Sequence, residues 1–322
     1  MLKLPKGGAI ISHFLNRTSS PYRVRALTRN TSSAAAQKLV KYGAEVVHAD
    51  LDDLDSLPKA LNDAHAVFLV TDFFSCADEG AQRETAQAKR VLDVLAESTT
   101  LEHLIYSSLP SIRQVSEGKY NNVVHFDGKA SVVDQLQSTY RELSKKTTVL
   151  WVGTYMQLWQ QFSDVFAPKK TITEDGKELW VQRLVFNPET HMPLIDARDV
   201  GKAVQSILTI GDELKGGKTV SLVVANKVSI REQLEIWGAH VGKESVFEHI
   251  SDQESLSQLK KLGFPEFIVK AIWEVGLAYR DYEGKLLHQE GVIQASEVSS
   301  TNKICLIKAA KQCYRFYWKV KS

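Results

Sequence analysis

The stretch YRVRALTRNTSSAAAQKLVKYGAEVVHADLDDLDSLPKALNDAHAVFLVTD, residues 22–72, decides the fold of this chain. Three short runs rich in valine, leucine and phenylalanine alternate in it with two helical patterns. Such apolar runs are typical of strands that are buried on both faces of a sheet. Each helical pattern is long enough to cross the sheet and start a parallel strand. The order strand, helix, strand, helix, strand is therefore predicted, over 22–27, 33–42, 45–49, 55–61 and 66–70.

This alternation predicts an α/β fold, with a doubly wound parallel sheet and helices on both of its faces. A smaller, mainly helical C-terminal domain is expected to follow. Further strands are predicted at 101–106, 148–152 and 219–224, and further helices at 79–97, 124–143, 230–241, 253–262 and 265–282.

Composition is that of an ordinary soluble protein, with 43% hydrophobic and 24% charged residues among 322. The three cysteines are an odd number without a CxxC pair, so neither a disulfide framework nor a zinc site is predicted. A reducing compartment is expected, which is the cytoplasm and, for a regulator, also the nucleus. No run approaches the roughly 18 apolar residues of a membrane span.

The charge is uneven along the chain. Six basic residues against one acid give residues 291–322 a charge of +5, so the rest of the chain carries −3 of the net +2. The body is therefore not expected to bind nucleic acid. The basic tail contains four neighbouring aromatic residues, and contact with a membrane or nucleic acid stays open beside the alternative of an unpacked extension.

Gly7 and Gly8 precede an apolar helical pattern at 9–15, which fits the end of a glycine-rich, phosphate-binding turn. The strand that should come before such a turn is missing, because only six residues lie upstream and Pro5 interrupts them. Gly7 and Gly8 are candidate cofactor-binding residues. The first strand is expected either to lie upstream of Met1 or to be lost.

Residues that directly follow parallel strands carry most functional weight, because ligands bind at the carboxyl ends of such strands. Arg29 follows the first strand, where a cation suits the 2′-phosphate of NADP and a carboxylate would suit NAD; a solvated loop arginine is the alternative. Asp50 is predicted to meet an adenine edge or to cap the next helix. Ser107 follows a later strand. It is predicted either to face the reactive end of a cofactor or to be a plain turn residue.

His125 and Lys129 lie four residues apart in VHFDGKASVV, on one face of a predicted helix. Apolar residues continue the stripe from Lys129, so this lysine should face the core and needs an acceptor, such as a ribose hydroxyl. In the alternative, its stem packs and its ammonium reaches water. Tyr155, just after a strand, is expected either to wall a substrate pocket or to pack in the core.

The runs RVRALTRN, GAEVVHADLDD, FLVTDFF, HFDGKA and PLIDARDVGKAV resemble the NmrA-like family of atypical short-chain dehydrogenases/reductases, related to isoflavone reductase-like enzymes. The similarity extends from about Gly7 to about Gly284. It implies a Rossmann-type NADP(H)-binding domain over 1–152 and a substrate or partner domain over 153–285 whose strands return to the sheet. The resemblance does not extend to the basic tail over 286–322.

The resemblance also implies roles for single residues. Arg29 would meet the 2′-phosphate, Asp50 and Leu51 would lie near adenine, and Lys129 would hold the nicotinamide ribose. Thr71, Asp72 and Phe73 would follow the family's fourth strand as part of the cofactor site, together with Tyr155.

Two features depart from the family pattern. Gly7 fits the last glycine of G-x-x-G-x-x-G, but the earlier two glycines fall on Leu4 and Met1. The tyrosine of the short-chain reductase pair Tyr-x-x-x-Lys is replaced, so that the lysine stands in His125-x-x-x-Lys129.

The resemblance implies an NADPH-dependent reductase of a small organic metabolite, in specialised metabolism such as that of fungi. Lys129 would be its catalytic residue and His125 a weaker candidate acid. The alternative is a non-catalytic NADP(H)-sensing regulator that binds a transcription factor or another protein. A third alternative is a chain that has lost its function with the first strand.

Overall fold

The computed structural model describes residues 6–16, 21–76, 80–223, 228–283 and 285–295. Leu4, Met1 and the tail from residue 296 onward lie outside these ranges, so the expectations for them stay predictions. Helices and strands follow in chain order: α1 (Lys6–Leu15), β1 (Arg25–Thr28), α2 (Ala34–Lys41), β2 (Glu45–His48), α3 (Ser56–Leu61), β3 (Ala66–Leu69), α4 (Ala81–Ala96), β4 (His103–Ser108), α5 (Ile112–Val115), α6 (Val124–Ser138), α7 (Arg141–Lys145), β5 (Thr147–Val152), β6 (Thr154–Tyr155), α8 (Leu158–Gln161), α9 (Ser163–Phe166), β7 (Lys169–Ile172), β8 (Glu178–Leu184), β9 (Leu194–Ile195), α10 (Val200–Ile210), β10 (Lys218–Leu222), α11 (Ile230–Val241), β11 (Ser245–His249), α12 (Asp252–Lys260), α13 (Glu266–Tyr282) and β12 (Ile293–Gln294).

The chain divides into two compact units, and it passes between them five times. The first unit comprises Met1–Leu109, Gly128–Val152 and Ala197–Val220, and the second comprises Pro110–Asp127, Gly153–Asp196 and Ser221–Ser322.

Parallel strands form the first unit, as the alternation of strands and helices predicts. β1 pairs with β2, β3 with β4 and β4 with β5, all in parallel. Within this unit, β5, β4 and β3 are neighbours in that order. Leucines on three helices and on β4 pack into one core, which includes Leu57, Leu92, Leu95, Leu104 and Leu136. The predicted α/β fold with a parallel sheet flanked by helices is confirmed.

The sheet of the first unit is interrupted between β1 and β3. In the described part of the chain, β1 pairs only with β2, and β3 is the last strand of its own sheet. The apolar run at 66–70 predicts a strand buried on both faces, but Ala66 is exposed and Val67 and Phe68 are only half-buried. By contrast, every residue of β4 and β5 is buried. An apolar strand stays partly exposed here because, among the residues that the structure describes, it has a neighbour on one side only.

Helix α1 packs closely against α10 within the first unit. Gly201 lies at the closest approach, where an added Cβ would come within 2.5 Å of the Cβ of His13 and 3.0 Å of the carbonyl oxygen of Ala9. The imidazole of His13 also meets the side-chain oxygen of Gln205, 2.7 Å from Nε2. A glycine at this position therefore lets two helices approach more closely than side chains would permit.

The second unit combines helices with strands that the sequence pattern does not predict. β7 and β8 form an antiparallel hairpin, and β11 adds to β8 in parallel. β6 pairs with β9 in a separate two-stranded ladder. β7, β8 and β11 are missed because most of their residues are partly or fully exposed and mix polar with apolar side chains, so no continuous apolar run marks them. β6 and β9 are missed because each is only two residues long.

His103, at the start of β4, is a buried histidine that the fold keeps neutral. Its Nε2 lies 2.8 Å from the hydroxyl oxygen of Thr148, and that hydroxyl donates its own hydrogen to the carbonyl oxygen of Leu214 at 2.7 Å. Nε2 therefore carries the proton and donates to Thr148. Burial lowers the pKa of His103 from 6.5 to about 4, and the charge of Lys215 acts in the same direction.

We expect stability to fall as the pH drops from about 6.5 towards 4. The unfolded chain takes up this proton near pH 6.5 and the folded protein only near pH 4. The contribution of neutral His103 to the free energy of unfolding is complete above about pH 6.5 and is lost as the pH falls to about 4. At about 1.4 kcal/mol for each pKa unit, His103 accounts for about 3 kcal/mol. Urea unfolding at several pH values measures this effect. The free energy of unfolding should depend less on pH in His103→Gln than in wild type, and as much as in wild type in the exposed variant His65→Gln. Equal curves for wild type and His103→Gln would contradict the assignment.

Candidate functional site

Lys129, Glu84 and Thr71 form a closed, buried ring of hydrogen bonds in the first unit. The ammonium of Lys129 donates to Glu84 Oε1 at 2.5 Å, to the hydroxyl oxygen of Thr71 at 2.8 Å and to the carbonyl oxygen of Thr71 at 3.3 Å. The Thr71 hydroxyl donates its hydrogen to the same Glu84 Oε1 at 2.8 Å. The side chains of Lys129 and Glu84 are only 7% and 2% exposed. All three hydrogens of the ammonium are therefore engaged, and its charge is balanced.

Two helices and one strand bring this ring together. Lys129 lies on α6 at the head of the predicted apolar stripe, and Leu136 and Leu143 of that stripe are buried with it. Glu84 lies in the first turn of α4, and Thr71 follows β3. The ring therefore sits where β3 ends, at the carboxyl edge of its sheet, which is the edge at which parallel sheets bind ligands.

Sequence reasoning missed Glu84, although a signal was present. The predicted inward residues of α4 include Val91 and Leu95, and both are buried. Glu84 and Ala88 continue this stripe by steps of three and four residues. A glutamate on the apolar face of a helix needs a buried cation or several donors. The sequence pattern could therefore have suggested that Glu84 pairs with Lys129, the lysine that is predicted to face the core.

Ser107 and Ser108 end β4, and both are fully buried. The hydroxyl of Ser108 donates to the carbonyl oxygen of Lys129 at 3.1 Å. This bond ties the end of β4 to the backbone of α6. Ser108 therefore holds Lys129 from the backbone side, while Ser107 keeps its predicted place at the strand end.

Asp72 and Phe73 follow Thr71 in a tight turn of 3₁₀ helix over Phe73–Cys76. The carboxylate of Asp72 accepts a hydrogen bond from the backbone N–H of Phe74 at 3.1 Å. Burial of this carboxyl group raises its pKa, the Phe74 N–H opposes that rise, and the negative charge of Glu84 adds to it. Phe73 is buried.

A second polar cluster follows β2, around Asp52. Its carboxylate accepts from Gln87 at 2.8 Å, from Arg83 at 2.9 Å and from Arg90 at 3.2 Å. The hydrogen bond from Arg83 is the largest influence that lowers the pKa of Asp52. Arg90 also donates to the carbonyl oxygen of Leu51 at 3.1 Å. The segment predicted to lie near adenine is thus fixed to α4.

Asp50 makes a local turn and does not cap a helix. Its side-chain oxygen accepts from the backbone N–H of Asp52 at 3.0 Å, two residues along the chain. Helix α3 begins only at Ser56. The capping alternative for Asp50 is therefore wrong, because the carboxylate is used in an Asx turn before the helix begins.

Arg29, Gly7 and Gly8 also lie in the first unit, after β1 and in α1. Arg29 directly follows β1 and is exposed, and within the described part of the chain its guanidinium has no ion-pair partner. Gly7 and Gly8 occupy the first turn of α1, which contains no acidic residue. An added Cβ at either glycine would meet no described atom within 4 Å. A ten-residue helix whose first turn has no acidic residue, and an exposed guanidinium, fit the phosphates of a dinucleotide.

His125 and Tyr155 belong to the second unit by their contacts. His125 lies in the first turn of α6, one helical turn before Lys129, and its ring packs edge-on against Phe126 with centroids 4.9 Å apart. Tyr155 ends β6 and is buried. Burial raises the pKa of Tyr155. The structure therefore unites Thr71, Ser108 and Lys129 in one cluster, and shows no contact of Arg29, Asp50 or the glycines with it among the described residues.

The second unit contains a charged cavity of about 580 Å³ beside the C-terminal end of α13. Asp281 lies at its wall and pairs with Lys119 at 2.6 Å and with Arg280 at 2.8 Å, and the hydroxyl of Tyr120 also donates to it. The cations of this cavity are thus already neutralised by the protein. Its lining includes none of the site residues that the sequence predicts.

Two general features are also visible in the described ranges. None of their helices has the length and apolar character to cross a lipid bilayer. Their histidine, cysteine, aspartate and glutamate side chains form no cluster able to hold a metal ion.

Comparison with protein families gives a match over nearly the whole chain. The model of the NmrA-like family matches residues 5–303. Among curated proteins, the NmrA-like family domain-containing oxidoreductase cpsB of Aspergillus campestris is 29% identical over 222 residues, which are 66% of this chain and 63% of that protein. The oxidoreductase lnbB of Aspergillus flavus, with the same family description, is 30% identical over 240 residues, or 71% and 68% of the two chains. The match thus spans less than two thirds of the first relative's length.

Solved structures show the same fold at low sequence identity. One is NmrA, a negative transcriptional regulator, in complex with NADP, with a TM-score of 0.65, 17% identity and coverage of 98% and 97% of the two chains. Another is an NADPH-dependent quinone oxidoreductase from Escherichia coli, with a TM-score of 0.62, 14% identity and coverage of 97% of each chain. Both a regulator and an enzyme therefore share this fold.

Proposed function

This chain belongs to the NmrA-like family, and from that premise we propose that it binds NADP(H) and reduces a small organic metabolite. Oxidoreductases of two Aspergillus species are among its relatives, which supports a place in fungal secondary metabolism.

The buried ring around Lys129 is the observation that carries the proposal. A lysine held by a carboxylate at the carboxyl end of a parallel strand is a fixed cation at the edge where nucleotides bind. A ribose hydroxyl can donate to the oxygens beside such an ammonium, or accept from it in place of the Thr71 carbonyl, whose bond is the longest of the three at 3.3 Å. Lys129 and Thr71 together would thus orient the nicotinamide ribose.

The remaining cofactor contacts are proposed at three places. Gly7 and Gly8 would offer the N–H groups of α1 to the pyrophosphate, and Arg29 would pair with the 2′-phosphate. The part of the cofactor between these places would lie against five further residues: Asp50, Leu51, Asp72, Phe73 and Ser107.

The bound cofactor would supply a hydride to the metabolite. Lys129 would orient the cofactor. Tyr155 is proposed as part of the wall of the metabolite's own site. His125, in the first turn of α6 and one helical turn before Lys129, is the proposed proton donor.

Arg29→Ala tests the cofactor proposal directly. We expect it to weaken NADPH binding by about 1.5–3 kcal/mol, roughly 10- to 100-fold, because a charge-assisted bond to the 2′-phosphate is lost. NADH lacks that phosphate, so its affinity should stay unchanged. Calorimetric titration with both nucleotides measures the two values. The exposed neighbour Arg23→Ala serves as the matched control, and equal losses for NADPH and NADH would contradict the assignment.

A regulator that senses NADP(H) is the second candidate. It is favoured by the ring itself, because the ammonium of Lys129 is fully engaged and no tyrosine stands four residues before it. A sensor needs this ring for affinity only. Pull-down of bound proteins with and without NADPH separates the two: partner exchange without substrate turnover supports sensing, and turnover of a metabolite by the purified chain supports the reductase.

A further inference from the structure

We propose that Glu84 is a positioning residue for the cofactor site, acting through Lys129. The inference rests on the proposed function, since it concerns how the NADP(H) site is held. The side chain of Glu84 is only 2% exposed and its hydrogen bonds run to Lys129 and Thr71, so its role in the site is exerted through these two residues.

The hydrogen bonds of Glu84 serve this ring alone. Its Oε1 accepts from both Lys129 and Thr71, and its Oε2 accepts no bond from any residue that the structure describes. The carboxylate is thus placed to hold the ammonium and the Thr71 hydroxyl in one arrangement.

The ring also fixes the direction in which Lys129 can act. A lysine ammonium rotates freely about its last bond unless its hydrogens are engaged. Glu84 and the two oxygens of Thr71 engage all three, of which the bond to the Thr71 carbonyl is the longest at 3.3 Å. The shorter two bonds run to Glu84 Oε1 and to the hydroxyl that Glu84 itself orients. Without Glu84, the position of the ammonium would no longer be determined.

A purely structural ion pair is the competing explanation, and physical chemistry separates the two. Buried ion pairs can often be replaced by apolar residues of similar volume without loss of stability, whereas removal of one partner is strongly destabilising. If Glu84 only balances the charge of Lys129, its effects will appear in stability and not in cofactor affinity of the folded protein. If Glu84 positions Lys129, affinity for NADPH will change as well.

The experiment uses the full chain and four proteins: wild type, Glu84→Gln, Lys129→Met and the double variant Glu84→Gln/Lys129→Met. Glutamine keeps an acceptor for Thr71 and Lys129 but removes the charge. Urea unfolding and calorimetric titration with NADPH are measured for each. Glu97→Gln, an exposed change at the other end of the same helix, is the matched control and should leave both unchanged.

We expect Glu84→Gln to weaken NADPH binding about tenfold in the wild-type background, while in the Lys129→Met background it has no further effect on affinity. The double variant should recover stability relative to Lys129→Met and bind NADPH no better than it. Wild-type affinity in folded Glu84→Gln would overturn the positioning role and leave the proposed function intact. Absence of NADPH binding by the wild type would overturn the proposed function and, with it, this role.

Discussion

Lys129→Met is expected to lower the free energy of unfolding by about 3–5 kcal/mol, because it leaves the carboxylate of Glu84 buried without its cation. The two side chains are almost completely excluded from solvent and their charged atoms are 2.5 Å apart. Methionine fills nearly the same volume as the lysine stem, so the loss arises from the charge and not from a cavity. Urea unfolding at neutral pH measures the change.

A surface ion pair provides the contrast for this prediction. Lys270 pairs with Glu266 one turn earlier on α13, at 3.0 Å, with both side chains largely exposed. Lys270→Met should change the free energy of unfolding by less than about 0.5 kcal/mol, because exposed pairs are screened by water. A similar small effect for Lys129→Met would mean that Glu84 finds another partner or is not charged.

Gly153→Ala is expected to destabilise the second unit by about 3 kcal/mol, because there is no room for a Cβ. An added Cβ would lie 2.3 Å from the carbonyl oxygen of Pro193, and 3.4 Å from that of Leu222. Both are backbone atoms, and Pro193 O also accepts the N–H of Thr154 at 2.7 Å. Relief of the clash would therefore displace the β6 and β9 pairing that Thr154 begins. Thermal and urea unfolding measure the loss.

The matched control is a glycine with ordinary surroundings. Gly276 lies inside α13, where an added Cβ would meet only side-chain atoms at 3.8 and 4.0 Å. Gly276→Ala should stabilise the protein by up to about 1 kcal/mol, since alanine favours the helix over glycine. If both alanine variants were equally stable, the close approach at Gly153 would be disproved.

Substrate selection by the proposed reductase would depend on the same region. Gly153 introduces the segment that holds Tyr155, and in the second unit Gln157 donates to Asp196 at 2.9 Å. The close backbone contact at Gly153 thus fixes the start of the segment that contains Tyr155. Variants that loosen it should alter affinity for the metabolite more than affinity for NADPH, which competition experiments can separate.

The sequence by itself determined the order of the parallel strands of the first unit and the face of α6 on which Lys129 lies. Short apolar runs separated by helical patterns can form few structures other than a parallel α/β sheet, and the 3.6-residue period of a helix places Lys129 on the face of Leu136. Both predictions are confirmed by the strand pairings and by the burial of Lys129. Local patterns carry this information because strand and helix periods are properties of neighbouring residues.

Only the tertiary structure decided what Lys129 binds and how each strand is covered. Glu84 lies 45 residues away from Lys129 along the chain and Thr71 lies 58 away, so no local spacing records their meeting. The apolar run of β3 predicts full burial, yet Val67 and Phe68 are partly exposed because β3 is the last strand of its sheet in the described ranges. The local sequence pattern indicates whether a residue prefers to be buried. The hydrogen-bond partners of a residue, and the strands beside its own strand, depend on how distant segments of the chain pack together.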